Sequence, residues 1–279
     1  MSTPKVAAIH DLSGYGRCSL SVVLPTLSAM GMECAVMPTA YLSAHTGFAG
    51  FSFLDLTEEM KATQAHWRAL SLRFDAVYSG FMGSVDQMEL VSEIIREFRT
   101  ERGFAVVDPV MGDNGRLYPT YTDAMCEGLR RLIEDADVIT PNLTEASFLL
   151  ELPYENLPAG REGAFQMVRA LSGQGKRSVV LTGVSDGENT LGAAVYDRKT
   201  GETDLVLTDS IPGEYSGSGD LFASVITGAL LQGKTLKEAA ELATRFVRDC
   251  AARTCPMHTP AREGLDFEPL LHRLAPKTE

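Results

Sequence analysis

Along the chain, short continuous apolar runs alternate with stretches of helical spacing. Lys5 to His10 is apolar almost throughout and predicts a buried strand. A loop rich in Gly and Ser follows, then an apolar segment from Ser19 to Met30 closed by Gly31, which predicts a helix with a glycine cap. Pro25 either kinks this helix or lies in its first turn. Glu33 to Thr39 predicts the next strand, and Tyr41 to Leu54, with Gly47 and Gly50 among aromatics, an irregular crossing or a short hairpin. Helical spacing over Thr57 to Leu72 leads to a strand at Asp75 to Ser79. Ser84 with Gln87 reads as a capping box for a helix reaching about Arg102, before a strand at Phe104 to Asp108.

The alternation repeats. A helix near Asp123 to Asp135 precedes a strand at Asp137 to Thr140, and one around Gly163 to Leu171 precedes Ser178 to Thr182. Leu191 to Asp197 pairs with Thr203 to Thr208 across Lys199-Thr200-Gly201. Two long helices, Asp220 to Gln232 and Leu236 to Thr254, precede a tail helix near Phe267 to Leu274. Strands alternating with such helices predict an α/β fold: a doubly wound, mostly parallel sheet flanked by helices, with an antiparallel edge hairpin. No Pro/Ser/Gly-rich linker divides residues 1–279, so one domain is expected.

Composition narrows the function. The 25 Lys and Arg against 37 Asp and Glu leave a net charge of −12, which counts against nucleic acid or an anionic membrane as partner. Met1 to His10 holds no cleavage pattern, and no apolar run is long enough to span a bilayer, so a cytoplasmic protein is expected. Cys18, Cys34, Cys126, Cys250 and Cys255 show no Cys-x-x-Cys spacing, and neither a disulfide framework nor a zinc site is indicated.

Open sheets of this kind bind ligands beyond the carboxyl ends of their strands. Polar and glycine residues gather there: Ser13 to Gly16, Gly80 to Gly83, Asp108 to Asp113, Pro141-Asn142 and Gly183. The most informative segment, Tyr215-Ser216-Gly217-Ser218-Gly219-Asp220, runs directly into an apolar helix. Glycines at a helix start let backbone N–H groups converge on an anion, and Asp220 could accept a proton from an attacking hydroxyl. The alternative is a plain Asp helix cap. Asp108, Asp113 and Glu145 lie just past strand ends as hard oxygen donors suited to magnesium, or else as caps and loop charges. Thr182 and Gly183 suit a nucleotide phosphate or a plain turn.

Gly217-Ser218-Gly219-Asp220, Asp108 to Asp113, Thr140-Pro141-Asn142 with Glu145, and Ser13 with His45-Thr46-Gly47 together resemble the pyridoxal kinase branch of the ribokinase superfamily. The resemblance runs from about His10 to Gly233. It implies a ribokinase-like fold and ATP-dependent phosphorylation of the 5′-hydroxymethyl group of a vitamin B6 vitamer. By that resemblance Asp220 is the catalytic base and Gly217, Ser218 and Gly219 form the anion hole. Asp108, Asp113 and Glu145 organise Mg2+ and a monovalent cation such as K+. Asn142, Glu145, Thr182 and Gly183 face ATP, and Ser13, Thr46 and Phe81 face the substrate ring. A homodimer is implied as well. The chain departs from the family at Ser218, where Thr is common, at Phe81, where many members carry Tyr, and at Arg116, where some carry an aldehyde-trapping Cys.

Other classes fit less well. Ser13-Gly14-Tyr15-Gly16-Arg17-Cys18-Ser19 only approximates a dinucleotide fingerprint, and Glu33 opens the second strand instead of ending it. Gly-x-x-x-x-Gly-Lys-Ser/Thr, His-Glu-x-x-His and Gly-x-Ser-x-Gly are absent. A sugar kinase of the superfamily would usually carry a Gly-Gly pair, which this chain lacks. A hydroxymethylpyrimidine kinase and a catalytically silent B6 or nucleotide carrier remain as alternatives, and Asp220 argues against the carrier.

Overall fold

The computed structural model describes residues 3–276; the extreme ends of the expected 1–279 unit lie outside the described residues. In chain order the elements are β1 (Lys5–Ser13), α1 (Leu20–Ala29), β2 (Glu33–Leu42), β3 (Phe53–Asp55), α2 (Thr57–Ala69), β4 (Phe74–Ser79), α3 (Val85–Phe98) and β5 (Arg99–Val107). There follow β6 (Gly112–Asp113), β7 (Arg116–Leu117), α4 (Asp123–Leu132), β8 (Val138–Ile139), α5 (Leu143–Leu149), α6 (Gly160–Leu171) and β9 (Ser178–Val184). The chain closes with β10 (Thr190–Tyr196), β11 (Thr203–Asp209), α7 (Ser218–Leu231) and α8 (Leu236–Thr254), then short 3-10 turns.

Among the described residues, nine strands form one sheet in the order β11-β10-β9-β8-β5-β4-β1-β2-β3. The six from β9 to β2 in that order run parallel. The expected hairpin β10–β11 closes one edge, and the β2–β3 hairpin makes a second antiparallel edge. Continuous apolar strands follow from burial on both faces. Ala7, Ile9, Val77 and Val107 pack with Trp67, Ile94, Phe98, Leu129 and Val168 from α2, α3, α4 and α6. Val6, Ala8, Tyr78 and Val106 pack with Val23, Leu27, Ile226 and Phe246 from α1, α7 and α8. Because β1 lies between β4 and β2, the chain reverses its direction of winding there, and a crevice opens above β1 and β4.

Several boundaries differ from those expected. Helix α3 stops at Phe98, not Arg102, because Arg99 already begins β5 and its guanidinium pairs with Asp137. The Ser84–Gln87 box is half made: Ser84 Oγ accepts from Gln87 N at 3.3 Å, whereas the Gln87 amide turns into the core. There it accepts from Gly83 N and donates to Thr39 O, Asp55 and Thr57. Pro25 lies inside α1, and the expected glycine cap stands at Gly31 with φ +86°. The ribbon β6–β7 and helix α5 were not anticipated. Among the described residues, no helix is long and apolar enough to cross a membrane.

Candidate active site

Strand β1 delivers the first polar groups. Its register against β2 shifts between His10 and Leu12, a bulge that re-aims side chains at the strand end. Asp11 and Ser13 are both buried there, and Ser13 Oγ donates to Asp11 Oδ2 at 2.9 Å. Ser19 Oγ donates to Asp11 Oδ1, and the Ser19 backbone N–H donates to Asp220 Oδ2 at 2.8 Å.

Helix α7 begins two residues earlier than expected. Its N-cap is Gly217, with φ +72° and no side-chain cap, and Asp220 falls in the first turn. The plain-cap reading of Asp220 is therefore excluded: its carboxylate reaches Ser19, not its own helix end. A Cβ on Gly217 would lie 1.9 Å from the Arg17 carbonyl oxygen, so this close approach of two loops demands glycine. The helix start has no side-chain cap: the Ser218 N–H makes a long bond to Tyr215 O at 3.3 Å, and the next N–H groups have no carbonyl four residues back to satisfy them. Open space lies beside Gly219, and a helix start of this kind attracts an anion.

The acidic strand ends converge on the same edge. Asp108 is buried, accepts from Thr140 Oγ1 at 2.8 Å, and is pushed up to about 7, chiefly by burial, with Asp113 adding to the effect. Glu145 closes a capping box with Asn142 at the start of α5, and its two oxygens accept from Asn142 N at 2.8 Å and Met111 N at 3.1 Å. Burial first, then the charge of Asp108, raise its carboxyl well above the ordinary range. Asp220 rises to about 8 through burial, offset by the Ser19 N–H and reinforced by Asp108 and Asp11. Among the described residues, no Lys or Arg forms an ion pair with Asp11, Asp108, Asp113, Glu145 or Asp220. Such uncompensated oxygens suit a cation supplied from solution. They do not themselves gather into a ready-made group of three ligands among the described residues.

Asp113 is exposed at the tip of the β6–β7 ribbon, where it accepts from Tyr118 OH and from Asn142 Nδ2 at 3.1 Å. Asn142 Nδ2 also donates to Gly112 O, while its Oδ1 caps Glu145 N. Asn142 thus ties the ribbon to α5. Thr182 is half-buried and hydrogen-bonds to Pro141 O through its N–H at 2.8 Å, beside the exposed Gly183.

Phe81 is buried edge-on to Tyr121, with ring centroids 6.0 Å apart. Thr46 is half-buried in the loop after β2, next to His45. Gly47 N–H donates to His45 Nδ1, which puts the imidazole proton on Nε2, donating to Arg262 O at 2.6 Å. Arg116, exposed on β7, leaves no thiol at that position.

A family model described as phosphomethylpyrimidine kinase matches residues 23–262. The chain belongs to the phosphomethylpyrimidine kinase family. A protein from Bacteroides thetaiotaomicron, described as a "putative phosphomethylpyrimidine kinase" and solved with pyridoxal, superposes with a TM-score of 0.93 at 44% identity over 98% of this chain and 96% of that one. The pyridoxal kinase of Lactobacillus plantarum superposes with a TM-score of 0.89 at 33% identity, covering 98% and 97%. The pyridoxal kinase of Histophilus somni is 30% identical over 88% of this chain and 86% of its own. The ribokinase-like fold and the likeness to pyridoxal kinases are borne out.

In this family member, the structure brings Ser13, Asp108, Asn142, Glu145, Thr182 and the glycine turn before Asp220 to one sheet edge. Sequence reasoning missed Asp11 altogether, and Ser19, which it read only as a helix start.

Proposed function

We propose that the chain transfers the γ-phosphoryl group of ATP to the 5′-hydroxymethyl group of a vitamin B6 vitamer: pyridoxal, pyridoxine or pyridoxamine. The observation that carries this reading is Asp220, fixed by the Ser19 N–H beside an uncapped helix start above β1 and β4. The likeness to proteins named pyridoxal kinase supports the substrate class.

In this reading Asp220 accepts the hydroxymethyl proton as the oxygen bonds to phosphorus, and the burial that raises its pKa makes the ionised carboxylate a stronger proton acceptor. The N–H groups of Gly217, Ser218 and Gly219 hold the charge developing on the transferred group. Ser13, Thr46 and Phe81 bind the substrate ring, and Asn142, Glu145, Thr182 and Gly183 border ATP. Asp108, Asp113 and Glu145 would hold Mg2+, with a monovalent cation such as K+. When bound, these ions neutralise the nucleotide phosphates. The uncompensated carboxylates around them fit that need. A single kinase domain over 1–279 is supported by the continuous nine-stranded sheet. We infer a cytoplasmic homodimer with no nucleic-acid or membrane partner.

The test is a substrate panel with MgATP: the three vitamers, hydroxymethylpyrimidine and a pentose. Phosphorylation of at least one vitamer is expected. Turnover of hydroxymethylpyrimidine alone would favour the hydroxymethylpyrimidine kinase alternative, and turnover of the pentose alone would overturn the vitamin reading.

A further inference from the structure

We propose that Asp11 is a positioning residue for the phosphoryl transfer, acting through Ser19 to hold Asp220 while its second oxygen holds Ser13. The proposal rests on the reading of Asp220 as base.

Ser19 occupies the N-cap of α1, where a serine usually turns its hydroxyl back to accept an N–H of its own helix. Here it makes no such bond. Its hydroxyl donates to Asp11 Oδ1 instead, and its backbone sits at φ +50°, ψ −135°, in the left-handed range that non-glycine residues rarely adopt. Both the forgone cap and the strained backbone oppose folding. What they achieve is a bridge: the Ser19 N–H points at Asp220 Oδ2 while its hydroxyl is anchored on Asp11.

Asp11 itself is equally hard to explain as structure. It is 4% exposed, sits on the β1 bulge beside the fully buried His10, and pairs with no cation among the described residues. Its partners are two hydroxyls, Ser13 and Ser19. Burying a carboxylate against hydroxyls alone costs more than burying an apolar side chain of similar size. The two serines it holds lead to two parts of the reaction: Ser13 toward the substrate, and Ser19 toward the base. One carboxylate on a central strand thus fixes both against a common frame, the kind of support that keeps reacting groups within a fraction of an ångström.

The experiment compares Asp11→Asn, Ser19→Gly, the double variant and Asp220→Asn, using MgATP and pyridoxal and confirming each fold by thermal melting. Ser19→Gly keeps the N–H, suits the backbone angle and removes the hydroxymethyl side chain that reaches Asp11. Each of the first two is expected to lower kcat roughly tenfold or more with KM for ATP unchanged. Asp11→Asn also raises KM for pyridoxal, because Ser13 is released, whereas Ser19→Gly does not. In the double variant kcat falls no further than in the slower single, since one residue acts through the other. Additive losses, or wild-type kcat in Ser19→Gly, with Asp220→Asn inactive, would overturn the role of Asp11 and leave the base intact. Full turnover in Asp220→Asn would remove the base and this proposal together. If Asp11→Asn does not fold, Ser19→Gly decides the link alone: a kcat loss at unchanged KM supports it, and wild-type kcat refutes it.

Discussion

Replacing Gly217 by Ala adds one methyl group to a turn that has no room for it. The residue has φ +72°, and the new Cβ would stand 1.9 Å from the Arg17 carbonyl oxygen and 2.9 Å from both the Arg17 carbonyl carbon and Cys18 Cα. These are backbone atoms, so relief requires the loop after β1 or the start of α7 to shift by about 1 Å or more. The left-handed backbone costs roughly 1 kcal/mol and the displaced packing about 2 more, which lowers the melting temperature by roughly 6–9 °C. The shift falls on the segment that carries Ser19 and on the helix start that carries Asp220, so kcat should drop by roughly 10²-fold. A coupled ADP-release assay with MgATP and pyridoxal, run beside a thermal melt, measures both. A variant within about twofold of wild-type kcat and about 1 °C of its melting temperature would refute the close approach and the anion-hole geometry built on it.

Other consequences follow from the same groups. The folded carboxyls of Asp108, at about 7, and Asp220, at about 8, stand above their unfolded value of 3.8. The folded chain therefore holds protons that the unfolded chain has released, and unliganded stability should fall as pH rises from about 5 to 9. A melting temperature that rises over this range would contradict that sign, and Asp108→Asn should flatten the slope. Asp113→Asn keeps an acceptor for Asn142 but removes a charge, and should raise the Mg2+ concentration for half-maximal rate several-fold; an unchanged titration would remove Asp113 from the metal environment. Gln87→Leu leaves Gly83 N and Thr39 O without their buried partner, costing about 3 kcal/mol and roughly 6–9 °C of melting temperature. A loss below about 1 °C would show that water replaces the amide.

The fold was legible where one local pattern decided the outcome. Helix α8 matches its expected span, Leu236 to Thr254, because Thr235 and Glu238 close a capping box just before its apolar stripe. The central strands stood out because both faces are buried, which leaves runs such as Val6 to Ile9 with no polar interruption. Helix α5 was missed although Asn142 and Glu145 form the same kind of cap: Glu145 was read as a ligand or as a cap without being paired with Asn142, and seven residues are too few to show periodicity. The β6–β7 ribbon has two residues per strand, too short to alternate visibly. In the site, the glycine turn and the acidic strand ends were readable as motifs. The Ser19–Asp220 bond was not, since it joins residues 201 positions apart and depends on how α1 and α7 pack over β1 and β4. Asp11 carried no motif at all, and only the bulge in β1 gives it its place.

The central claim is that Asp220 takes the proton from the hydroxymethyl group. Single-turnover phosphorylation of pyridoxal by Asp220→Asn, with ATP affinity measured on the same sample, tests it most directly. The account predicts a rate at least about 10²-fold slower with nucleotide bound as tightly as in the wild type. Phosphorylation at close to the wild-type rate would contradict it.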